Sequence, residues 1–138
     1  MDYNGTLAQD GRLLEGVHPR LDRLAGQLRL HVITADTFGM ARGELIRVPC
    51  ELVILPVEEQ AKSKLAYIDN LGRDQVAAIG NGRNDRLMLE AAALGIALIQ
   101  GEGGAFEVIS AAGVVMPDIL SALDVLLFPK RLIATLRS

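Results

Sequence analysis

Four short polar segments stand out from an otherwise apolar sequence, and each carries side chains that could take part in chemistry. They are DYNGT (2–6), TAD (34–36), KSK (62–64) and GNGRND (80–85). Carboxylates can act as nucleophiles and as ligands of hard cations. Hydroxyl, amide and ammonium groups can bind the charged oxygens of an anionic substrate. Whether these segments form one site depends on the helices and strands that carry them.

Five short apolar runs alternate with amphipathic stretches, and this order predicts the fold. The runs have little polar alternation, as in strands buried on both faces; they cover 30–35, 51–56, 75–80, 95–100 and 113–117. Helices are predicted over 18–28, 61–72 and 84–95, and the last two of these end at a glycine. A further helix is predicted from 118, with a break at Pro129. The pattern predicts one α/β domain over 1–138, a three-layer α/β/α sandwich with a mainly parallel, Rossmann-like sheet.

Ligands of such sheets bind at the carboxyl ends of the strands, so the residues that directly follow each run are candidates for a site. These residues are Thr34, Ala35 and Asp36, then Pro56, then 80–85 and 101–104. Asp2 stands apart because it lies at the amino terminus. Simpler interpretations exist as well: Asp36 could cap a helix, and Asn81 with Gly82 could form only a turn.

The composition excludes several classes of protein. Half of the residues are hydrophobic and 22% are charged, which is typical of a folded domain, and the net charge of -3 argues against nucleic-acid binding through a basic face. No apolar stretch approaches the roughly 18 residues that a membrane span needs. The single Cys50 lies in an apolar run without zinc-ligand spacing, so we expect a buried structural thiol and a soluble, cytoplasmic protein.

The order Asp, Thr, Lys, Asp in the four segments resembles the haloacid dehalogenase (HAD) superfamily of phosphotransferases. Within it, the segments look most like the phosphorylation domain of P-type ATPases, which carries Asp-Lys-Thr-Gly-Thr, Thr-Gly-Asp, a Pro-x-x-Lys stretch and Gly-Asp-Gly-x-Asn-Asp. The counterparts here are DYNGT, TAD, PVEEQAKSK and GNGRND, and residues 91–116 also resemble the ATPase segment that follows. The resemblance covers essentially the whole chain and implies a free-standing relative of that domain with the HAD fold.

The resemblance also implies a role for each segment. Asp2 would be the nucleophile that forms an aspartyl-phosphate, and Thr34 and a lysine would bind the transferring phosphoryl group. Both Lys62 and Lys64 fit the position of that lysine, and Lys64 is in phase with the apolar face of its helix. A Mg²⁺ cofactor would be held by Asp2, Asn4, Asn81 and Asp85. Further candidates for the phosphate site are Gly5, Thr6, Ala35, Asp36, Lys62 and Asn84.

Two amides depart from the family pattern. Asn81 stands where the family has aspartate, and Asn4 stands where its phosphatases carry the second acid, which transfers a proton. An amide cannot transfer that proton, and such help contributes roughly 10²–10⁴-fold to the rate. We therefore expect slow hydrolysis of a phosphoenzyme, weaker binding of Mg²⁺ and a weakened enzyme. The alternative is a catalytically degraded regulatory or binding module with the same fold.

The resemblance leads to expectations about the chain start, the cover of the site and the partners. In the superfamily the nucleophile ends the central strand, but only Met1 precedes Asp2, so we expect a chain truncated at its N-terminus, with this first central strand upstream of Met1. No insertion of domain size separates the segments, so the domain is capless and a homo-oligomer or a large substrate would cover the site. The expected substrate is a small phosphorylated metabolite or a phosphoprotein, with neither nucleic acid nor membrane as partner.

Overall fold

Strands and helices alternate along the chain, as the apolar runs predicted. In the computed structural model, which describes residues 1–138, the strands are β1 (Ala8–Gln9), β2 (Arg12–Leu13), β3 (His31–Thr34), β4 (Glu51–Ile54), β5 (Ala77–Gly80), β6 (Leu94–Leu98) and β7 (Val114–Met116). The helices are α1 (Val17–Ala25), α2 (Ala41–Glu44), α3 (Gln60–Leu71), α4 (Arg86–Ala91), α5 (Phe106–Ala111), α6 (Ile119–Leu127) and α7 (Pro129–Leu136). None of them is both long enough and apolar enough to span a membrane.

The five predicted strands are all parallel and form two sheets, which the first two residues of the chain hold side by side. β3 pairs with β4 in one sheet, and β6 lies between β5 and β7 in the other. The Ile33 N–H donates to the Met1 carbonyl (2.9 Å), and the Asp2 N–H donates to the Ile79 carbonyl (3.0 Å). Asp2 therefore lies in the middle of the strand order, at the carboxyl edge of β5.

Helices cover both faces of this arrangement. On one face α1 and α6 pack against the larger apolar cluster, which includes Leu21 and Ile96, and Cys50 lies partly buried at its edge. On the other face α3, α4 and α5 cover a smaller cluster, which includes Ile68 and Ala97. Successive residues of β6 thus belong to opposite clusters, which explains why its sequence lacks polar alternation. The predicted three-layer α/β architecture is confirmed.

Several local features differ from the prediction. Gly95 was expected to end a helix, but it lies in β6 opposite Ala78, and α4 already ends at Ala91. The chain must leave the helix early because β6 starts only three residues later, at Leu94. The hairpin formed by β1 and β2 and the short helix α5 were not predicted, and α2 was indicated only by Asp36 as the possible cap of a helix. Two-residue strands and helices of four to six residues carry too little periodicity to be recognised in a sequence.

Candidate active site

Asp2 lies where the chain leaves the sheet and enters a tight turn. The Thr6 N–H donates to the Tyr3 carbonyl (3.2 Å), which closes the turn. The Tyr3 side chain is completely buried, and its hydroxyl donates to the Gly11 carbonyl (2.9 Å) in the hairpin that follows. The Thr6 hydroxyl in turn lies 3.3 Å from Asp2 Oδ2. The buried tyrosine therefore anchors a turn that directs the Thr6 hydroxyl toward the Asp2 carboxylate.

The buried polar side chains of this protein all belong to the segments that the sequence singled out. Each is less than a tenth exposed, and together they come from four separate parts of the chain: Asp2, Thr6, Thr34, Lys64, Asn81 and Asp85. Burying a polar group costs free energy unless it is hydrogen-bonded or paired. A set of such groups at one edge of the sheet therefore identifies this edge as the candidate site.

Lys64 joins the two buried carboxylates. Its Nζ lies 2.7 Å from Asp2 Oδ1 and 2.6 Å from Asp85 Oδ1. Burial by itself would lower the pKa of Lys64, but the two carboxylates outweigh burial and raise that pKa above its ordinary value. Burial, reinforced by the charge of Asp85, raises the pKa of Asp2 to about 6. When both acids are ionised, one cation faces two anions, so the site attracts a further positive charge.

The two candidate lysines have different surroundings. Lys64 is completely buried, on the same face of α3 as Ile68. Lys62 lies two residues earlier, which places it on another face of the helix, where its side chain is 72% exposed and pairs with Glu59. The structure therefore brings Lys64, and not Lys62, to Asp2.

Asp85 is held by the backbone of its own loop. Its Oδ2 accepts hydrogen bonds from the N–H groups of Asn81 and Gly82, both at 3.0 Å, while Oδ1 accepts from Lys64. The loop packs so tightly that a Cβ atom on Gly80 would lie 2.5 Å from Cγ of Asp85. Glycine at position 80 thus allows the carboxylate to turn back over the end of β5.

The Asn81 amide connects three segments of the site. Its Oδ1 lies 3.4 Å from the Thr6 hydroxyl, and its Nδ2 donates to the Gly103 carbonyl (3.0 Å). Gly5 has a φ of 78°, and a Cβ there would lie 2.5 Å from Asn81 Oδ1. A carboxylate at position 81 has no proton to donate to Gly103. The amide therefore has a structural role that the aspartate of the family pattern could not fill.

Thr34 and Asp36 both make hydrogen bonds within their own loop. The Thr34 hydroxyl oxygen accepts from the Asp36 N–H (3.0 Å), which leaves the hydroxyl proton free to donate. Asp36 has a φ of 49°, and its Oδ1 accepts from the N–H groups of Met40 and Ala41, both at 3.0 Å. Asp36 thus holds two backbone N–H groups at the start of α2, whose N-cap residue is Met40, and Ala35 lies half-buried between Thr34 and Asp36.

Two further candidates lie outside the hydrogen bonds that link Lys64 to the carboxylates. The Asn84 amide donates to Gln60 Oε1 (2.7 Å), which ties the loop after β5 to the first turn of α3. Asn4 Oδ1 is buried and has no hydrogen-bond partner in the protein. An acceptor in that condition is able to take a hydrogen bond from a group that enters the site.

Gln100 is a residue of the site that the sequence analysis missed. Its Nε2 donates to the carbonyls of Gly5 (3.0 Å) and Thr6 (2.7 Å), and its Oε1 accepts from the Ile119 N–H (2.7 Å). One side chain thus ties the turn after Asp2 to the start of α6. The sequence did hold a signal, since Gln100 is the polar residue that ends the apolar run 95–100, directly before the glycine-rich residues 101–104.

The oxygen donors at this edge of the sheet suit Mg²⁺. Proteins bind Mg²⁺ through one or two carboxylates, and water and substrate phosphate complete the octahedron. Asp2 and Asp85 would supply the carboxylates, and the Asn81 amide and the Asn4 carbonyl would be further oxygen donors. No group of three or more His, Cys, Asp or Glu side chains is placed to hold a metal, which is the arrangement a structural zinc site would need.

Comparison with known protein families agrees with the resemblance seen in the sequence. The family model of haloacid dehalogenase-like hydrolases matches residues 59–118, which include Lys64 and Asp85. An uncharacterized protein of Methanocaldococcus jannaschii is 42% identical over 79 residues, which are 54% of this chain and 85% of that protein. A phosphoserine phosphatase of Idiomarina loihiensis is 36% identical over 77 residues, which are 55% of this chain and only 35% of that enzyme.

Solved structures agree on the fold. A zinc-transporting PIB-type ATPase superposes with a TM-score of 0.70 at 19% identity, covering 91% of this chain and 20% of the ATPase. The 3-deoxy-D-manno-octulosonate 8-phosphate phosphatase of Moraxella catarrhalis, solved with magnesium and phosphate ions, gives 0.66 at 16% identity and covers 93% of this chain and 75% of that enzyme. At these identities the match concerns the fold alone.

The role of Lys64 can be tested by a change that removes its ammonium group and keeps an unbranched side chain of similar length. In Lys64→Met, Asp2 and Asp85 face each other without a cation, and breaking a buried ion pair in this way costs about 3–5 kcal/mol. Lys62→Met is the matched control, which should change the free energy of unfolding by less than about 0.5 kcal/mol because Lys62 is exposed. Urea unfolding at neutral pH measures both. Equal losses in the two variants would contradict this description of the site.

Proposed function

This chain belongs to the haloacid dehalogenase-like hydrolase family, and we propose on that premise that it is a magnesium-dependent phosphatase or phosphotransferase. It would act through an aspartyl-phosphate on Asp2, with activity weakened by Asn4 and Asn81. The observation that carries the proposal is the contact of the buried Lys64 ammonium with both Asp2 and Asp85. These two acids and the lysine are residues that the family resemblance assigns to the site.

Each group at the site has a place in such a reaction. A carboxylate oxygen of Asp2 attacks phosphorus, a P–O bond to Asp2 forms, and the P–O bond to the leaving group breaks. Charge spreads over the transferring oxygens, and the Lys64 ammonium and the Thr34 hydroxyl are the donors available to hold it. Water then attacks phosphorus, which restores the carboxylate and releases inorganic phosphate.

Magnesium would be held by Asp2 and Asp85, with the Asn81 amide oxygen and the backbone carbonyl of Asn4 as further donors. When bound, the magnesium ion would stabilise the negative charge of the substrate phosphate and help to orient it. Asn81 in place of an acid removes one negative charge from this set. We therefore propose that Mg²⁺ binds more weakly here than it would to a site with three carboxylates.

Asn4 determines how long the phosphoenzyme lasts in this proposal. The Asn4 side chain can accept or donate a hydrogen bond, but it cannot take a proton from the attacking water. Hydrolysis of the aspartyl-phosphate should then be slow, as in a P-type ATPase. The substrate class stays open between a small phosphorylated metabolite and a phosphoprotein, and a second copy of the chain could cover the uncapped site.

A regulatory or binding module is the second candidate, and one observation favours it. The Asn81 amide is used to hold the Gly103 carbonyl. An amide at this position thus stabilises the loop by a bond that a catalytic carboxylate could not make. In such a module the fold and the ion pairs of Lys64 would persist without phosphoryl transfer.

Incubation with Mg²⁺ and acetyl phosphate separates the two candidates. On protein shown to be folded by circular dichroism, intact mass spectrometry should detect the gain of one phosphoryl group. The gain should disappear in Asp2→Asn and persist in Asp22→Asn, which makes the same chemical change on the exposed side of α1. No gain by the folded protein, together with no turnover of an aryl phosphate, would favour the regulatory module.

The part played by Asn4 can be measured on the phosphoenzyme itself. Asn4→Asp introduces a group that can take a proton from water, so the phosphoryl group should be lost roughly 10²–10⁴-fold faster. The matched control is Asn70→Asp, the same substitution at an exposed position of α3. The decay of the phosphorylated mass after removal of acetyl phosphate gives both rates. An unchanged lifetime in Asn4→Asp would show that this position does not limit hydrolysis.

A further inference from the structure

The turn that follows Asp2 has two carbonyl groups to which no backbone N–H donates. They belong to Gly5 and Thr6, and both residues are buried. Other groups of the turn do have backbone partners, since the Gly5 N–H donates to the Ala8 carbonyl (2.8 Å) and the Ala8 N–H donates to the Tyr3 carbonyl (2.9 Å). A buried carbonyl without a donor is costly, so these two need a donor from elsewhere in the chain.

Gln100 supplies this donor with a single side chain. Its Nε2 donates to the Gly5 carbonyl (3.0 Å) and to the Thr6 carbonyl (2.7 Å). The Gly5 carbonyl belongs to the peptide group before the Thr6 Cα atom, and the Thr6 carbonyl belongs to the peptide group after it. The orientations of these two planar groups determine φ and ψ of Thr6. Gln100 therefore holds the backbone of Thr6 from both sides.

Gln100 is itself held by a helix, and this contact determines which way its amide points. Its Oε1 accepts from the N–H of Ile119, the first residue of α6, at 2.7 Å. A reversed amide would place Oε1 against two carbonyl oxygens and the NH₂ group against an N–H. An ionised glutamate has the same shape but no proton to donate. The three contacts therefore need an amide at position 100.

Thr6 connects this amide to the Asp2 carboxylate. The Thr6 side chain is completely buried, and its hydroxyl lies 3.3 Å from Asp2 Oδ2 and 3.4 Å from Asn81 Oδ1. The other carboxylate oxygen, Asp2 Oδ1, accepts from Lys64 Nζ at 2.7 Å. Contacts on both oxygens restrain rotation of the carboxylate. A shift of Thr6 would remove one of these two restraints.

We propose that Gln100 is a positioning residue for phosphoryl transfer, which acts through Thr6 to hold the Asp2 carboxylate in the orientation that attack on phosphorus needs. The inference rests on the proposed function, because it concerns the same carboxylate. An attacking atom displaced by about 1 Å can cost roughly 10²-fold in rate. Gln100 has no hydrogen bond with Asp2 or Lys64, so its effect should fall on the rate of transfer and not on binding of the phosphoryl donor.

The test compares the rate of phosphorylation by acetyl phosphate and Mg²⁺ in the unmodified protein, Gln100→Glu, Gln100→Met and the matched control Gln75→Glu. Gln75 is exposed and lies two residues before β5, at the end of that strand away from Asp2. Urea unfolding gives the folded fraction to which each rate is referred. Both Gln100 variants should lose about 10- to 10²-fold in the saturated rate, with the half-saturating concentration and the control within about twofold.

A double-mutant cycle shows whether Gln100 acts through Thr6. Thr6→Val removes the hydroxyl and keeps the shape, so adding Gln100→Glu to it should lower the rate by no more than about twofold. A further loss of full size would overturn the proposal, because Gln100 would then act by another route. Unchanged rates in the folded Gln100 variants would overturn it as well. Loss of the folded state in both would do the same, since Gln100 would then be needed for folding itself.

NMR separates this inference from the proposed function. Three-bond couplings of Thr6 report its χ1 angle, and they should show one rotamer in the unmodified protein and an average of rotamers in Gln100→Glu. This measurement needs no phosphoryl transfer. If the folded, unmodified protein gains no phosphoryl group, the proposed function fails, and the couplings alone decide whether Gln100 positions Thr6. Averaging in Gln100→Glu would support that role, and a single rotamer in both forms would overturn it.

Discussion

A lysine buried between two carboxylates is the interaction on which the rest of this structure depends. Taking three charged groups out of water is costly, and their attraction compensates only when the geometry is good and the remaining lone pairs are used. Lys64 meets that condition, with both acids within 2.7 Å. The three residues are far apart in sequence, so the fold must bring α3, the start of the chain and the loop after β5 together at a single point.

The loops around this point are held mainly by neutral groups. Backbone N–H groups fix Asp85, the Asn81 amide holds the loop at Gly103, and Gln100 holds the turn after Asp2. A carboxylate held by preorganised dipoles does not need to reorganise when charge develops during a reaction. The same network explains the glycines at positions 5 and 80. A Cβ atom on Gly5 would overlap the Asn81 side chain, and a Cβ atom on Gly80 would overlap the Asp85 side chain.

Much of the fold and part of the candidate site could be predicted from the sequence. Five apolar runs predicted the parallel strands, and the helical phase of Lys64 with Ile68 favoured the lysine that the structure places at Asp2. Gln100 could not be recognised in the same way, because its contacts with Gly5 and Thr6 join residues more than ninety positions apart. The hydrogen bond from Asn81 to Gly103, which are 22 positions apart, was hidden as well. Tertiary contacts of this kind leave no periodic pattern in a single sequence.

The central claim is that the Asp2 carboxylate accepts a phosphoryl group, and the most direct test identifies the modified residue. Borohydride reduces an acyl phosphate to an alcohol, so an aspartyl-phosphate becomes homoserine. The folded protein would be incubated with Mg²⁺ and acetyl phosphate, reduced with borohydride and mapped by peptide mass spectrometry. Homoserine is expected at position 2 and at no other aspartate. Homoserine at another position, or none at all in the folded protein, would contradict it.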